Sequence, residues 1–127
     1  MASASPISKP NPRILIVEDE PALRFLVTTA LEDDGGFHLL VAESADEALE
    51  IIAQTDGIDC VFTDVRMPGK YDGIDLANEI LAVHPAIKVI ITSGNNYPGP
   101  PLAGVPFVPK PYDLAGIPKT IRNAMAS

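Results

Sequence analysis

Basic side chains are scarce in this chain. Nine lysines and arginines stand against seventeen aspartates and glutamates over 127 residues, a net charge of −8. That balance works against non-specific attraction to nucleic acid or to an anionic membrane surface, and favours a metal ion, a basic small molecule or a protein as partner. Long apolar runs are missing as well: stretches such as Ile14-Leu15-Ile16-Val17 are a few residues long, against about 20 needed to span a bilayer. Cysteine is nearly absent. The single thiol, Cys60, lies inside an apolar strand pattern, so it reads as a small buried hydrophobe and suits a reducing cytoplasm. Residues 1–12, MASASPISKPNP, contain no apolar core of the length a secretory signal needs and read as a disordered tail. One domain is expected over 13–127. His38 and His84 fall at a strand start and a helix end, and neither is given a chemical role.

What is present alternates between two periods. Arg13 to Val17 is a continuous apolar run bounded by Pro12 and by acids, the pattern of a strand covered on both faces. Glu18-Asp19-Glu20 follows, then Pro21 opens a helix whose stripe is Leu23, Leu26, Val27, Ala30 and Leu31 and which Gly35-Gly36 stops. Phe37 to Ala42 predicts a second strand. Ser44 with Glu47 three residues on predicts a capped helix through about Gln54. Cys60 to Thr63 runs straight into Asp64, and a turn around Met67-Pro68-Gly69 leads to a helix bearing Leu76, Ala77, Ile80, Leu81 and Val83 that ends near His84-Pro85.

Ile87 to Thr92 predicts a fourth buried strand, closing on Ser93-Gly94. Between Asn95 and Pro106 the prolines 98, 100, 101 and 106 and the glycines 99 and 104 leave no helical pattern. Val105 to Val108 predicts a short fifth strand leading to Lys110-Pro111. Asp113 then caps a last segment in which Pro118 requires a distorted first turn or a regular helix starting near that residue. Alternation of this kind predicts an α/β fold: a flavodoxin-like, doubly wound, five-stranded parallel sheet of order 2-1-3-4-5, with the fourth helix replaced or shortened by the proline-rich segment.

In such a sheet, ligands sit at the carboxyl ends of the strands. Glu18 and Asp19 after the first strand and Asp64 after the third would share one crevice around the switch point. Three carboxylates repel one another unless a hard cation lies between them, and Mg2+ (or Mn2+) suits that oxygen set. Lys110 after the fifth strand adds a compact positive charge for a phosphate oxygen, and Ser93 after the fourth adds a hydroxyl. Thr92 beside it is the alternative hydroxyl, and alternation along the strand favours Ser93. The set suits phosphoryl transfer to Asp64.

Taken with Met67-Pro68, Asp72-Gly73 and Lys110-Pro111, these residues resemble the receiver domain of two-component response regulators from Arg13 onward. The resemblance implies that Asp64 is the phosphoacceptor, loaded by a histidine kinase or histidine phosphotransfer protein with Mg2+ bound. It further implies that the Arg66 main-chain carbonyl is a metal ligand, that Ser93 and Phe107 form a switch pair, that Arg66 and Asn95 tune the phosphate lifetime, and that the Lys110-Pro111 bond is cis. A stand-alone signalling receiver is expected rather than an enzyme acting on other substrates. It would have an unidentified output protein, no DNA-binding domain, no membrane segment, a cytoplasmic location and a homodimer left open. The turn from Met67 to Gly73 is one residue longer than the commonest pattern, which puts Lys70 and Tyr71 in an exposed loop. The stretch Ile91-Thr92-Ser93-Gly94-Asn95 is similar to the Phe-Ala-Thr-Gly-Tyr signature of a receiver-only subgroup in its glycine and hydroxyl alone. Two alternatives stand beside this reading. One is a Mg2+-dependent phosphatase with an Asp64 nucleophile, which would need a second acid where Arg66 stands; the other is a receiver-like module that binds partners without phosphorylation.

Overall fold

The computed structural model describes residues 11–94, 105–110 and 113–126. Residues 1–10 of the tail expected over 1–12, the proline-rich stretch 95–104 with Asn95, and the Lys110-Pro111 bond lie outside the described residues.

Local signals set the elements. Strand β1 is Arg13–Val17 and helix α1 is Pro21–Asp34, with Pro21 at its first position. The helix ends at Gly35, whose φ of 79° is the left-handed region that glycine enters without a Cβ clash and whose N–H donates to the Leu31 carbonyl (3.2 Å). Strand β2 is His38–Ala42, one residue shorter than expected, and helix α2 is Ala45–Gln54. Ser44 Oγ accepts from Glu47 N (3.1 Å) at the start of α2, while the Glu47 carboxylate accepts from the N–H of Glu43 (2.6 Å), one residue before the cap. Strand β3 is Ile58–Asp64. Helix α3 is Gly73–Val83, opened by a complete capping box in which Asp72 accepts from Asp75 N (2.9 Å) and Asp75 accepts from Asp72 N (3.0 Å).

Strand β4 is Lys88–Ser93 and strand β5 is Phe107–Pro109. The fifth strand is shorter and later than Val105 to Val108, because its pairing with β4 begins at Ile91 with Phe107 and closes at Ser93 with Pro109. Proline is tolerated there because β5 lies at the sheet edge. A 3-10 turn over Leu114–Gly116, capped by Asp113, precedes helix α4, Ile117–Ala126. Both options for this segment are thus combined. The first turn is irregular, and Pro118 sits second in the helix, where its missing N–H has no intrahelical bond to lose.

All five strands are parallel in the order β2-β1-β3-β4-β5. Side chains alternate between two cores. One face of the sheet sends Leu15, Val17, Val61, Val65, Val89 and Ile91 against Ala48, Ile52, Leu76 and Ile80 of α2 and α3. The other sends Ile14, Ile16, Cys60, Phe62 and Ile90 against Val27, Leu31, Ile117 and Ile121 of α1 and α4. Helices on both faces explain why these strands read as unbroken apolar runs. Burial pushes the Cys60 thiol up to about 12, which keeps it protonated as a small core residue.

Three expected core positions are exposed: Leu26, Leu81 and Val83. Consecutive helical residues are about 100° apart, so Val27 and Ile80 at the centre of the buried arcs turn Leu26 and Leu81 towards solvent. Val83 falls in the last turn of α3. No helix among the described residues is long and apolar enough to cross a membrane.

Candidate functional site

The site is assembled by the last rungs of the sheet. Val17 pairs with Thr63, which sets Glu18 beside Asp64 at the carboxyl edge. Glu18 N–H donates to the Ala42 carbonyl (3.0 Å), Val65 N–H to the Thr92 carbonyl (3.0 Å), and Lys110 N–H to the Ser93 carbonyl (2.8 Å). Each functional side chain therefore hangs from a backbone held by the neighbouring strand. Past Asp64 the chain turns back at once: Gly73 N–H donates to the Val65 carbonyl (2.8 Å). A Cβ on Gly73 would lie 1.9 Å from the Asp64 carbonyl oxygen, so glycine is needed for α3 to start this close to the end of β3.

Glu18 and Asp64 are only 4% and 7% exposed, and Asp19 lies at the open rim. One carboxylate oxygen from each of the three falls within 4.8 Å of the others. Lys110 Nζ donates to Asp64 Oδ2 at 2.9 Å and sits 3.5 Å from Glu18 Oε1. Burial raises the Glu18 pKa above its ordinary value, with the charge of Asp64 adding to the rise, although the Glu20 N–H (3.1 Å) and Lys110 pull the other way. Burial also works against the Lys110 charge, but Asp64 and Glu18 together outweigh it and hold the ammonium above its usual range. Three carboxylates facing one ammonium leave a net negative crevice lined by oxygen donors, which is the donor chemistry of a hard divalent cation.

Of the other predicted positions, Ser93 is buried beside this edge, and the Arg66 side chain and Phe107, on β5 opposite Ile91, are exposed. Alternation does not separate the two hydroxyls as expected. Asp64 is in register with Thr92, and Thr92 follows Ile90 in sequence as Asp64 follows Phe62, so parity groups Thr92 with the acids. Thr92 Oγ1 is fully buried, without a hydrogen-bond partner among the described residues. Ser93 is the terminal residue of β4, where strand alternation stops being a guide, and its assignment rests on its place in the motif.

Two positions escaped the sequence reading. Arg24 donates from Nη1 to the Glu18 carbonyl (2.8 Å), tying the first turn of α1 to the acidic loop, and its signal was a base one turn into the helix that follows the acids. Thr63 Oγ1 donates to the Asp64 carbonyl (2.9 Å), a bond between neighbours that no spacing announces.

The chain belongs to the response regulator receiver domain family, whose sequence model matches residues 14–122. It is a receiver domain of two-component signalling. It is similar to the sensor kinase CckA of Brucella abortus (strain 2308), with 37% identity over 120 residues that make up 88% of this chain and 12% of that protein. The nitrogen assimilation regulatory protein NtrX of Azorhizobium caulinodans is 35% identical over 107 residues, 79% of this chain and 23% of that protein. The chain thus spans less than a quarter of either relative. Among solved structures, a response regulator receiver domain protein from Clostridium thermocellum superposes with a TM-score of 0.77 at 29% identity, covering 91% of this chain and 94% of that one. The receiver domain of the hybrid histidine kinase CckA gives 0.74 at 31% identity, covering 89% and 98%.

Proposed function

We propose that this receiver domain accepts a phosphoryl group on Asp64 from a histidine kinase or histidine phosphotransfer protein, and that the acyl phosphate alters a partner-binding surface around β4 and β5. The observation that carries the reading is the Lys110 ammonium 2.9 Å from Asp64 Oδ2, in a crevice shared with two further acids. A carboxylate oxygen of Asp64 attacks the phosphorus of the donor phosphoimidazole, the P–N bond breaks, and the imidazole departs and takes up a proton. Lys110, already at the carboxylate, meets the transferring oxygens as charge gathers on them. Glu18, Asp19, Asp64 and the Arg66 carbonyl would hold Mg2+ or Mn2+, which when bound offsets the negative charge of the phosphoryl group.

Arg24, bonded to the Glu18 carbonyl, fixes the rim beside which Phe25, 67% exposed, and Leu26 offer an apolar contact for the donor protein. Ser93 supplies a hydroxyl to the acyl phosphate, and Phe107 is the ring that answers its movement. Arg66 and Asn95, each two residues past a key position, set how long the phosphate lasts. The competing phosphatase reading is disfavoured by Arg66, which stands where a second acid would be needed. A cytoplasmic location completes the reading.

The test is intact-protein mass spectrometry after incubation with Mg2+ and a small acyl phosphate. One phosphoryl adduct is expected on the wild type and none on Asp64→Asn; an adduct that survives this substitution overturns the assignment.

A further inference from the structure

We propose that the groove between α2 and α3 is a docking site for an arginine-bearing basic segment of a partner protein. Leu49 of α2, Tyr71 of the β3–α3 loop, and Asp75, Asn78 and Glu79 of α3 line an open cavity of about 390 Å3, a volume in the range of ligand sites.

Charge selects the class of occupant. Helices α2 and α3 carry Asp46, Glu47, Glu50, Asp75 and Glu79 and not one lysine or arginine, so this side of the molecule attracts cations and repels anions. The lining selects among cations. Among the described residues, the acids that converge tightly enough to share a metal ion are Glu18, Asp19 and Asp64, none of them in this groove. Asp75 is already committed to the α3 cap, where its carboxylate accepts from Asp72 N. Glu79 lies one turn further along α3, and Leu49 and the Tyr71 ring are apolar surfaces no metal would use. The ring does hold a cation: Lys70 Nζ lies 5.4 Å from the Tyr71 centroid, within cation–π range.

An arginine side chain answers each wall. Its aliphatic stem covers Leu49, its guanidinium plane takes the place of Lys70 against Tyr71, and its N–H fork reaches Glu79. A lysine offers a point charge without the plane or the fork. The longer loop thereby gains a use, because Tyr71 lines the groove and Lys70 lies against its ring. Glu18, Asp64 and Lys110 are not part of it, so docking is expected without any phosphodonor, and its failure would leave the acceptor role of Asp64 untouched.

The test is a titration of the 15N-labelled full chain, followed by amide NMR, with the capped tetrapeptides Leu-Arg-Leu-Arg and Leu-Lys-Leu-Lys. Shifts from the arginine peptide should centre on Leu49, Tyr71, Asn78 and Glu79, and it should bind several-fold more tightly than the lysine peptide. Tyr71→Ala and Glu79→Gln should each weaken it by roughly fivefold, whereas Tyr71→Phe should keep wild-type affinity. Both side chains are exposed, so the spectra away from the groove report that the fold is intact. Equal binding of the two peptides, shifts spread over every acidic surface or centred on Glu18 and Asp64, or full affinity in both weakened variants would each overturn the proposal.

Discussion

The molecule holds two acidic regions that differ in what surrounds the charge. In the crevice, Glu18 and Asp64 are buried, share Lys110 and hang from the last rungs of a five-stranded sheet. In the α2–α3 groove, Asp75 and Glu79 project from one helix surface into solvent, and Asp75 has a structural duty at the cap. Like charges therefore carry different consequences. Desolvation makes each crevice group depend on its partners, while solvent screens the groove acids and leaves them to act mainly on whatever docks there.

If that contrast is right, the largest effect should follow loss of the ammonium. Lys110→Ala is expected to slow phosphoryl transfer to Asp64 by roughly 100-fold, measured as the initial rate of adduct formation; a rate within threefold of wild type would break the contrast. Next comes the backbone that shapes the crevice. Gly73→Ala forces a methyl group into the Asp64 carbonyl and should cost about 3 kcal/mol of stability, read from the denaturant midpoint.

The two neighbouring hydroxyls sharpen the comparison further. Thr92→Val removes a buried Oγ1 that has no hydrogen-bond partner among the described residues and should stabilise the fold by about 1 kcal/mol without slowing adduct formation, whereas Ser93→Ala should slow it. Loss of phosphoryl transfer in Thr92→Val would assign the reactive hydroxyl to Thr92 instead.

Protonation gives a smaller, signed effect. Burial raises Glu18 above the 4.5 of a free side chain, so the folded protein takes up this proton at higher pH than the unfolded chain, and the Glu18 contribution to stability falls as pH rises above about 4.5. Lys110, held above 10.5, contributes fully below that value and loses its contribution only as pH climbs through its folded pKa. Between these limits Glu18→Gln should remove the decline due to Glu18, gaining stability relative to wild type as pH rises from 5 to 7 in denaturant titrations. The smallest change belongs to the groove: Asn78→Ala should alter stability by less than about 0.5 kcal/mol, because its side chain is exposed.

Much of this was legible where the physics is local. Ser44 with Glu47, Pro21, and Gly35 set helix ends through bonds or dihedrals that neighbouring residues determine. The apolar runs of β1, β3 and β4 announced strands covered on both sides, and the alternation of strands with helices announced the parallel order. The acids and the lysine at successive strand ends then followed from topology alone. Less was legible at the ends themselves. Alternation was expected to favour Ser93, yet the register set Thr92 opposite Asp64, because pairing between strands is a non-local choice.

What the sequence by itself determined is a set of groups at the carboxyl ends of the strands: Glu18 and Asp19 after β1, Asp64 at the end of β3 and Lys110 after β5. The tertiary structure alone decided how they meet and what else forms around them. It settled the 2.9 Å contact of Lys110 with Asp64, the buried hydroxyl of Thr92, the reach of Arg24 to the Glu18 carbonyl, and the groove that joins Leu49, Tyr71 and Glu79 across 30 residues of chain. Side-chain type and period are local properties that a sequence displays. Distances and desolvation arise only when segments remote in the chain pack together.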